Sequence, residues 1–323
     1  MGTRYTVRAF APADVDAAAR MRAADHARHR TLIPALDPVY ESVTAMRAQI
    51  EAILESGGSG VLVMRGDDPA AFILAGQRAG ASWGANAWVD AAGMGGDDHQ
   101  ALREGYAVNA ERWVGEGRTH HYVVVNAADR TQLDAWFSLS FGIQHVHAIR
   151  EPVDPAFQPV QPPGISVRLI ERRDLPESAR LGVVLPMHVA QSPIFSQVPV
   201  ETVEELLAEA EADFGDPRFT EFVAEHEGHI AGITVSCLIG ESPGNTPLMR
   251  PANAGLLGHA AVDPDARGLG VGRALGERVL AWSRDEGHDW IGADWRSTNL
   301  EADRTWRALG FRPTFYRLFR AID

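Results

Sequence analysis

The chain has 323 residues, enough for two domains of ordinary size, and 45% of them are hydrophobic, enough for sizeable cores. A formal net charge of −13 argues against nucleic acid as a partner, and no apolar run approaches the roughly 20 residues of a membrane span. All 30 basic residues are arginine, and the single cysteine, Cys237, excludes an intramolecular disulfide and a cysteine-based zinc knot.

Met1 to Val7 reads as the start of a strand and not as a secretory signal, so a cytoplasmic location is expected. Tyr5 to Phe10 is followed by the acidic turn Ala13-Asp14 and a helix, and this first half closes on Ala135-Trp136-Phe137-Ser138-Leu139-Ser140-Phe141. The pairs His26 with His29, His120 with His121 and His145 with His147 lack a carboxylate at ligand spacing; surface histidines and no metal are expected. Residues 151–164 contain five prolines and read as an extended linker. Beyond it the order is strand 165–170, helix 174–187, acidic helix 201–214, strands 219–226 and 229–239, a loop, strand 254–262, helix 271–286, strand 289–295, helix 299–309 and strand 314–320. Cys237 falls in the apolar run 230–239 and reads as a small buried hydrophobe.

The two halves resemble each other. Ile165 to Ile170 with Arg173-Asp174 repeats the opening of the first half, and Thr305-Trp306-Arg307-Ala308-Leu309-Gly310-Phe311 repeats its close. A period of that length implies duplication of a whole domain, not a solenoid.

The most specific stretch is Val262-Asp263-Pro264-Asp265-Ala266-Arg267-Gly268-Leu269-Gly270-Val271-Gly272-Arg273, between an apolar strand and an amphipathic helix. Helix starts leave N–H groups without intrahelical partners and carry partial positive charge, so this turn reads as a phosphate cradle. Gly268, Gly270 and Gly272 let the backbone approach a ligand, while Arg267 and Arg273 add charge-assisted contacts. The corresponding stretch of the first half, Ala91 to Gln100 after Val89-Asp90, has no arginine and would set Asp97 and Asp98 against phosphate.

Arg-Gly-Leu-Gly-Val-Gly fits Arg/Gln-x-x-Gly-x-Gly/Ala, and with the preceding Val-Asp-Pro it resembles the acetyl-CoA-binding motif of the GNAT superfamily of N-acetyltransferases. Ile291, Asp294, Asn299, Ala302 and Leu309-Gly310-Phe311 follow in that family's order. The resemblance implies an α/β (α+β) fold of two tandem GNAT-like domains, each a mixed, mostly antiparallel sheet with helices on both faces. Residues 1–150 would be a degenerate copy that does not bind CoA, 151–164 the linker, and 165–323 the catalytic domain; tandem members of the mycothiol synthase type share this layout.

By that resemblance the cofactor acetyl-CoA would be held by Ala260, Ala261 and Val262 on a splayed strand, by Arg267, Gly268, Leu269, Gly270, Val271, Gly272 and Arg273 at the cradle, and by Asn299, which is also a candidate helix N-cap. Asp294 and His259 are candidate bases, each with a structural alternative as a strand-end acid or a packed histidine. The family's usual acidic tyrosine is replaced by Trp306, read as packing; Tyr316 is the substitute acid or part of an outer sheet. His188, with Ser192, would line the acceptor pocket, with loop 241–253 as a lid. The implied activity is acetyl transfer to a primary amine of a small molecule, for which the negative charge permits a cationic acceptor. A CoA-binding module without turnover, or acetylation of a cysteinyl amine, remains open beside it.

Overall fold

The computed structural model describes residues 5–196 and 201–322; the first four positions of the strand-like opening lie outside them. In chain order the first half forms β1 (Tyr5–Ala9), α1 (Val15–Leu32), α2 (Val43–Glu55), β2 (Ser59–Arg65), β3 (Asp68–Ala75), β4 (Asn86–Val89), β5 (Met94–Gly95), α3 (His99–Gly115), β6 (His120–Asn126), α4 (Arg130–Phe137) and β7 (Gly142–Arg150). The second forms β8 (Ile165–Leu169), α5 (Leu175–Gly182), α6 (Val184–Val189), α7 (Val203–Asp213), β9 (Phe219–His226), β10 (His229–Leu238), β11 (Ala254–Val262), α8 (Val271–Asp285), β12 (Trp290–Arg296), α9 (Leu300–Ala308) and β13 (Arg312–Ala321).

These elements fall into two compact units, Met1–Val146 with Thr246–Pro251 and Pro313–Asp323, and His147–Asn245 with Ala252–Arg312. The grouping differs from the linear division at 150 and 165. β13 belongs to the first unit, where it pairs antiparallel with β6 from Phe315↔Asn126 to Ala321↔His120. Alternating apolar residues specify which face of a strand is buried but not which strand it pairs with, so the sequence could not reveal this.

In the first unit the period of two along β2 and β3 divides the core. Val61, Val63 and Ile73 pack with Ala101 and Leu102 of α3, whereas Leu62, Phe72 and Leu74 pack with Ala18 and Ala19 of α1 and Met46 and Ile50 of α2. Trp136 is fully buried, edge-on to Tyr106 and Phe141 at 5.5 and 5.0 Å between ring centroids.

Several histidines are interior, contrary to the surface expectation: His26, His29 and His121 in the first unit and His147 in the second are at most 4% exposed. Each finds a polar partner, some far along the chain, such as Asp129 Oδ2 at 2.7 Å from His29 Nε2. His26 Nε2 lies 2.8 Å from the Asp37 carbonyl and therefore carries the proton, leaving Nδ1 enclosed without a partner. Burial lowers this histidine from 6.5 to about 4. The unfolded chain binds the proton first, so the contribution of His26 to stability is lost as pH falls from 6.5 through 4. Urea unfolding at pH 7 and pH 5 should show His26→Gln losing less stability on acidification than the parent, by on the order of 1–2 kcal/mol. Parallel losses would assign the acid sensitivity to other groups.

The second unit is a five-stranded sheet in the order β12-β11-β10-β9-β8, antiparallel except for the parallel β11–β12 pair. One face receives α8, because Gly232 leaves room for Val271 and Leu275; a Cβ there would stand 2.8 Å from Val271 Cγ1. On the other face Ile233 and Ala261 pack with Leu181 of α5 and Val184. The helix expected over 174–187 is divided into α5 and α6 at Val183. The acidic helix α7 starts with a Thr202/Glu205 capping box. Cys237 is buried among Ile239, Ala254 and Leu256, which pushes its thiol up to about 11 and leaves it protonated at neutral pH.

Candidate functional site

The site is built where β11 runs into α8. Asp263 Oδ1 accepts the Asp265 N–H at 3.0 Å and opens a single turn over Pro264–Ala266, while Arg180 donates to Asp263 Oδ2 at 2.6 Å and holds that carboxyl below its usual range. Gly268 and Gly270 then take φ of +81° and +90°, a region where a side chain is strained. The first intrahelical bond of α8 is donated by Ala274 to the Gly270 carbonyl at 3.0 Å. The N–H groups of Val271, Gly272 and Arg273 are thus left at the helix mouth. A Cβ at Gly268 would meet nothing within 4 Å among the described residues, so the loop is open to close approach.

A cavity of about 500 Å³ lies against this turn. Its wall includes Ala260, Ala261 and Val262 of β11, Arg267, Gly268, Gly270, Val271, Gly272 and Arg273 at the turn, and Asn299, Ala302, Arg304, Thr305 and Trp306 at α9. Val184, Leu185 and His188 of α6 complete one side, with Arg267 Nη2 3.5 Å from His188 Nδ1. Three arginines against Glu301 make the lining net positive, in a chain whose overall charge is negative.

The cavity exists because two parallel strands part. β11 and β12 pair only from Ala254↔Trp290 to Leu257↔Ala293, and beyond that point β11 follows β10 alone, through Thr234↔Ala260 to Gly232↔Val262. A bulge assists: two residues of β11, Gly258 and His259, stand against one of β10, Val235. Asn299 stands on the far side of the gap, where its Oδ1 accepts the Ala302 N–H at 3.1 Å; N-cap and cavity wall are the same residue.

Two residues expected at the site do not line the cavity. Leu269, grouped with the cradle, is 43% exposed and does not line the cavity, since the two flanking glycines turn its side chain outward. Tyr316 packs against the core of the first unit, beside Val123, Val125 and Leu318, because β13 pairs there, and it is not among the residues of the cavity wall. Trp306 both lines the cavity and packs under α8, where a Cβ at Gly276 would lie 3.1 Å from its Cζ3.

The two candidate bases stand outside the cavity wall, at the sheet face opposite α8. Gly292 faces Leu256 and Ile239, so Asp294, two residues on, faces the same way. Asp294 Oδ2 accepts from Asn245 Nδ2 at 3.3 Å, and Asn245 Oδ1 lies 3.2 Å from His147 Nδ1. The ligand atoms of His147 and Asp294 lie within 4.8 Å of each other, so a carboxylate does accompany this histidine, at a distance the sequence spacing concealed. His259 sits in the bulge with Nε2 enclosed and unpartnered, and burial lowers its pKa, which keeps the ring neutral at pH 7. Burial likewise raises the carboxyl of Glu221 on β9.

Arg304 and Thr305, which no motif marks, were missed by sequence reasoning, as was Asn245. Helical spacing from Ala302 could have pointed to Thr305; nothing local could have pointed to Arg304 or Asn245.

The first unit closes the corresponding helix start by itself. Asp98 Oδ1 accepts the N–H groups of Gln100 and Ala101 at 2.9 and 3.1 Å, and its other oxygen takes the Tyr5 hydroxyl at 2.7 Å and pairs with Arg65. A carboxylate thus fills the position where α8 presents bare N–H groups. Among the described residues, the second unit brings glycines, arginines and a splayed strand together, an arrangement suited to a polyanion joined to a slender chain.

Comparison with known proteins agrees. The Acetyltransferase (GNAT) family description matches residues 187–311. Human N-acetyltransferase 8B is 32% identical over 98 residues, which are 30% of this chain and only 40% of that protein's length. Among solved structures, a GCN5-related N-acetyltransferase from Sphaerobacter thermophilus aligns over 100% of this chain and 98% of its own, with a TM-score of 0.60 at 19% identity. A tandem GNAT protein of the clavulanic acid biosynthesis pathway covers 98% of this chain and 97% of its own, with a TM-score of 0.51 at 14% identity. At these identities the structural likeness speaks for the fold. No helix of the described residues is long and apolar enough to cross a membrane. Residues 187–311 thus match the acetyltransferase (GNAT) family description, and the chain has the fold of a tandem pair of GNAT-like domains.

Proposed function

We propose that the second unit is an acetyl-CoA-dependent N-acetyltransferase that acts on a primary amine of a small molecule, and that the first unit binds no CoA. The observation that carries this reading is one cavity joining the bare N–H groups of α8 to the gap between β11 and β12. Bound acetyl-CoA would supply the activated thioester. Arg267, Arg273, Arg304 and the amides of residues 270–272 suit its phosphates, and the unpaired edge of residues 260–262 with Asn299 suits its arm.

The remaining work falls to the chain's own groups. An amine must be deprotonated before it attacks, and Asp294, oriented by Asn245, is the assigned acceptor of that proton, with the neutral His259 as the rival. Backbone N–H groups along the free edge of β11 face developing oxyanion charge. With Trp306 in the wall and no tyrosine lining the cavity among the described residues, the chain offers no phenol there to protonate a departing thiolate. That same observation favours the second reading, a CoA-binding module without turnover. The acceptor class rests on the negative net charge, which suits a cationic amine.

Thiol release from acetyl-CoA, measured over alkylamines, polyamines and cysteinyl amines, separates the two. Release with at least one amine, lost in Arg267→Ala, is the expected result. Tight CoA binding without release for any amine would leave the module reading.

A further inference from the structure

The proline-rich segment between the repeats is not a free tether. Val160 donates its N–H to Glu277 Oε2 at 2.6 Å, and Arg284 Nη1 donates to the Phe157 carbonyl at 2.8 Å, so both ends of this stretch lie along α8. Pro162 follows and packs on the turn itself: a Cβ at Gly270 would stand 3.0 Å from its Cγ. Glu277 is 3% exposed, and its second oxygen accepts from Arg273 Nε at 2.8 Å. Pinning Nε leaves both Nη groups of Arg273 to be presented to the cavity that this residue lines.

We propose that Glu277 is a positioning residue for phosphate binding, and that residues 157–162 form a strap which it clamps over the cradle. One buried carboxylate satisfies a strap amide with one oxygen and aims an arginine with the other. The two groups are therefore set together: release of the strap frees Gly270 from Pro162 and loosens the acceptor that orients Arg273. Prolines on either side of Val160, at 159 and 162, keep the strap extended and cheap to order. This inference rests on the reading of the cavity as a CoA site, and it adds that the inter-repeat segment sets the affinity.

The test uses the full chain with two variants. Glu277→Gln keeps the volume but has a single oxygen for two donors, and Val160→Pro removes the strap donor at an exposed position without touching α8. By calorimetry both should weaken CoA binding, Glu277→Gln by about tenfold and Val160→Pro by a smaller factor, in line with loss of charge-assisted contacts. Pantetheine, which has no phosphate, should bind all three proteins alike, and hydrogen exchange across 157–162 should quicken in both variants. Unchanged CoA affinity in both variants, or in Val160→Pro while its strap exchanges faster, would overturn the strap. An equal loss of pantetheine binding would overturn the positioning role and make Glu277 a general structural residue. A parent protein that binds no CoA would instead defeat the reading of the cavity, an outcome separate from these.

Discussion

Gly270→Asp should abolish tight acetyl-CoA binding, raising the dissociation constant by on the order of 10²-fold or more, while the protein stays folded. Gly270 adopts φ +90°, which aspartate tolerates better than most residues, and its new Cβ would press on Pro162 at 3.0 Å. The carboxylate would then stand at the start of α8, where N-cap aspartates accept the N–H groups of the first turn. The first unit already contains that solution in Asp98, which caps α3 through Gln100 and Ala101. The substitution thus converts the open helix mouth into a closed one, with a negative charge facing phosphate. Thermal unfolding would report the fold and calorimetry the affinity. An unchanged affinity in a folded variant would remove the turn from the account.

Asp294→Asn should lower turnover by about 10²-fold and leave acetyl-CoA affinity nearly unchanged, because the amide keeps the shape and the Asn245 neighbour but cannot accept a proton. The acidic limb of the pH–rate profile should flatten at the same time. A parental profile in Asp294→Asn, beside a flattened one in His259→Gln, would move the proton acceptor to the enclosed imidazole in the bulge of β11.

What could be read from sequence was local. The turn from Asp263 to Arg273 encodes its own backbone: glycines where φ is positive, an Asp-Pro opening, an apolar strand before it and a helical period after it. Asn299 was legible for the same reason, since an N-cap is a short-range signal. What escaped depends on contacts far along the chain. The pattern of β13 said strand but could not say that Phe315 pairs with Asn126 and Tyr316 with Val125. His29 read as a surface residue because its partner, Asp129, lies 100 positions away. Residues 151–164 read as a tether because the acceptor of the Val160 amide is a buried glutamate on a later helix. Trp306 was correctly placed as packing, but packing and lining a cavity proved to be compatible duties for one indole.

We propose that this chain carries one acetyl-CoA site, formed by the second unit. Calorimetric titration of the full chain with acetyl-CoA tests it directly. One site per chain, lost in Gly270→Asp, is the expected result; two comparable sites, or one that survives that substitution, would contradict the proposal.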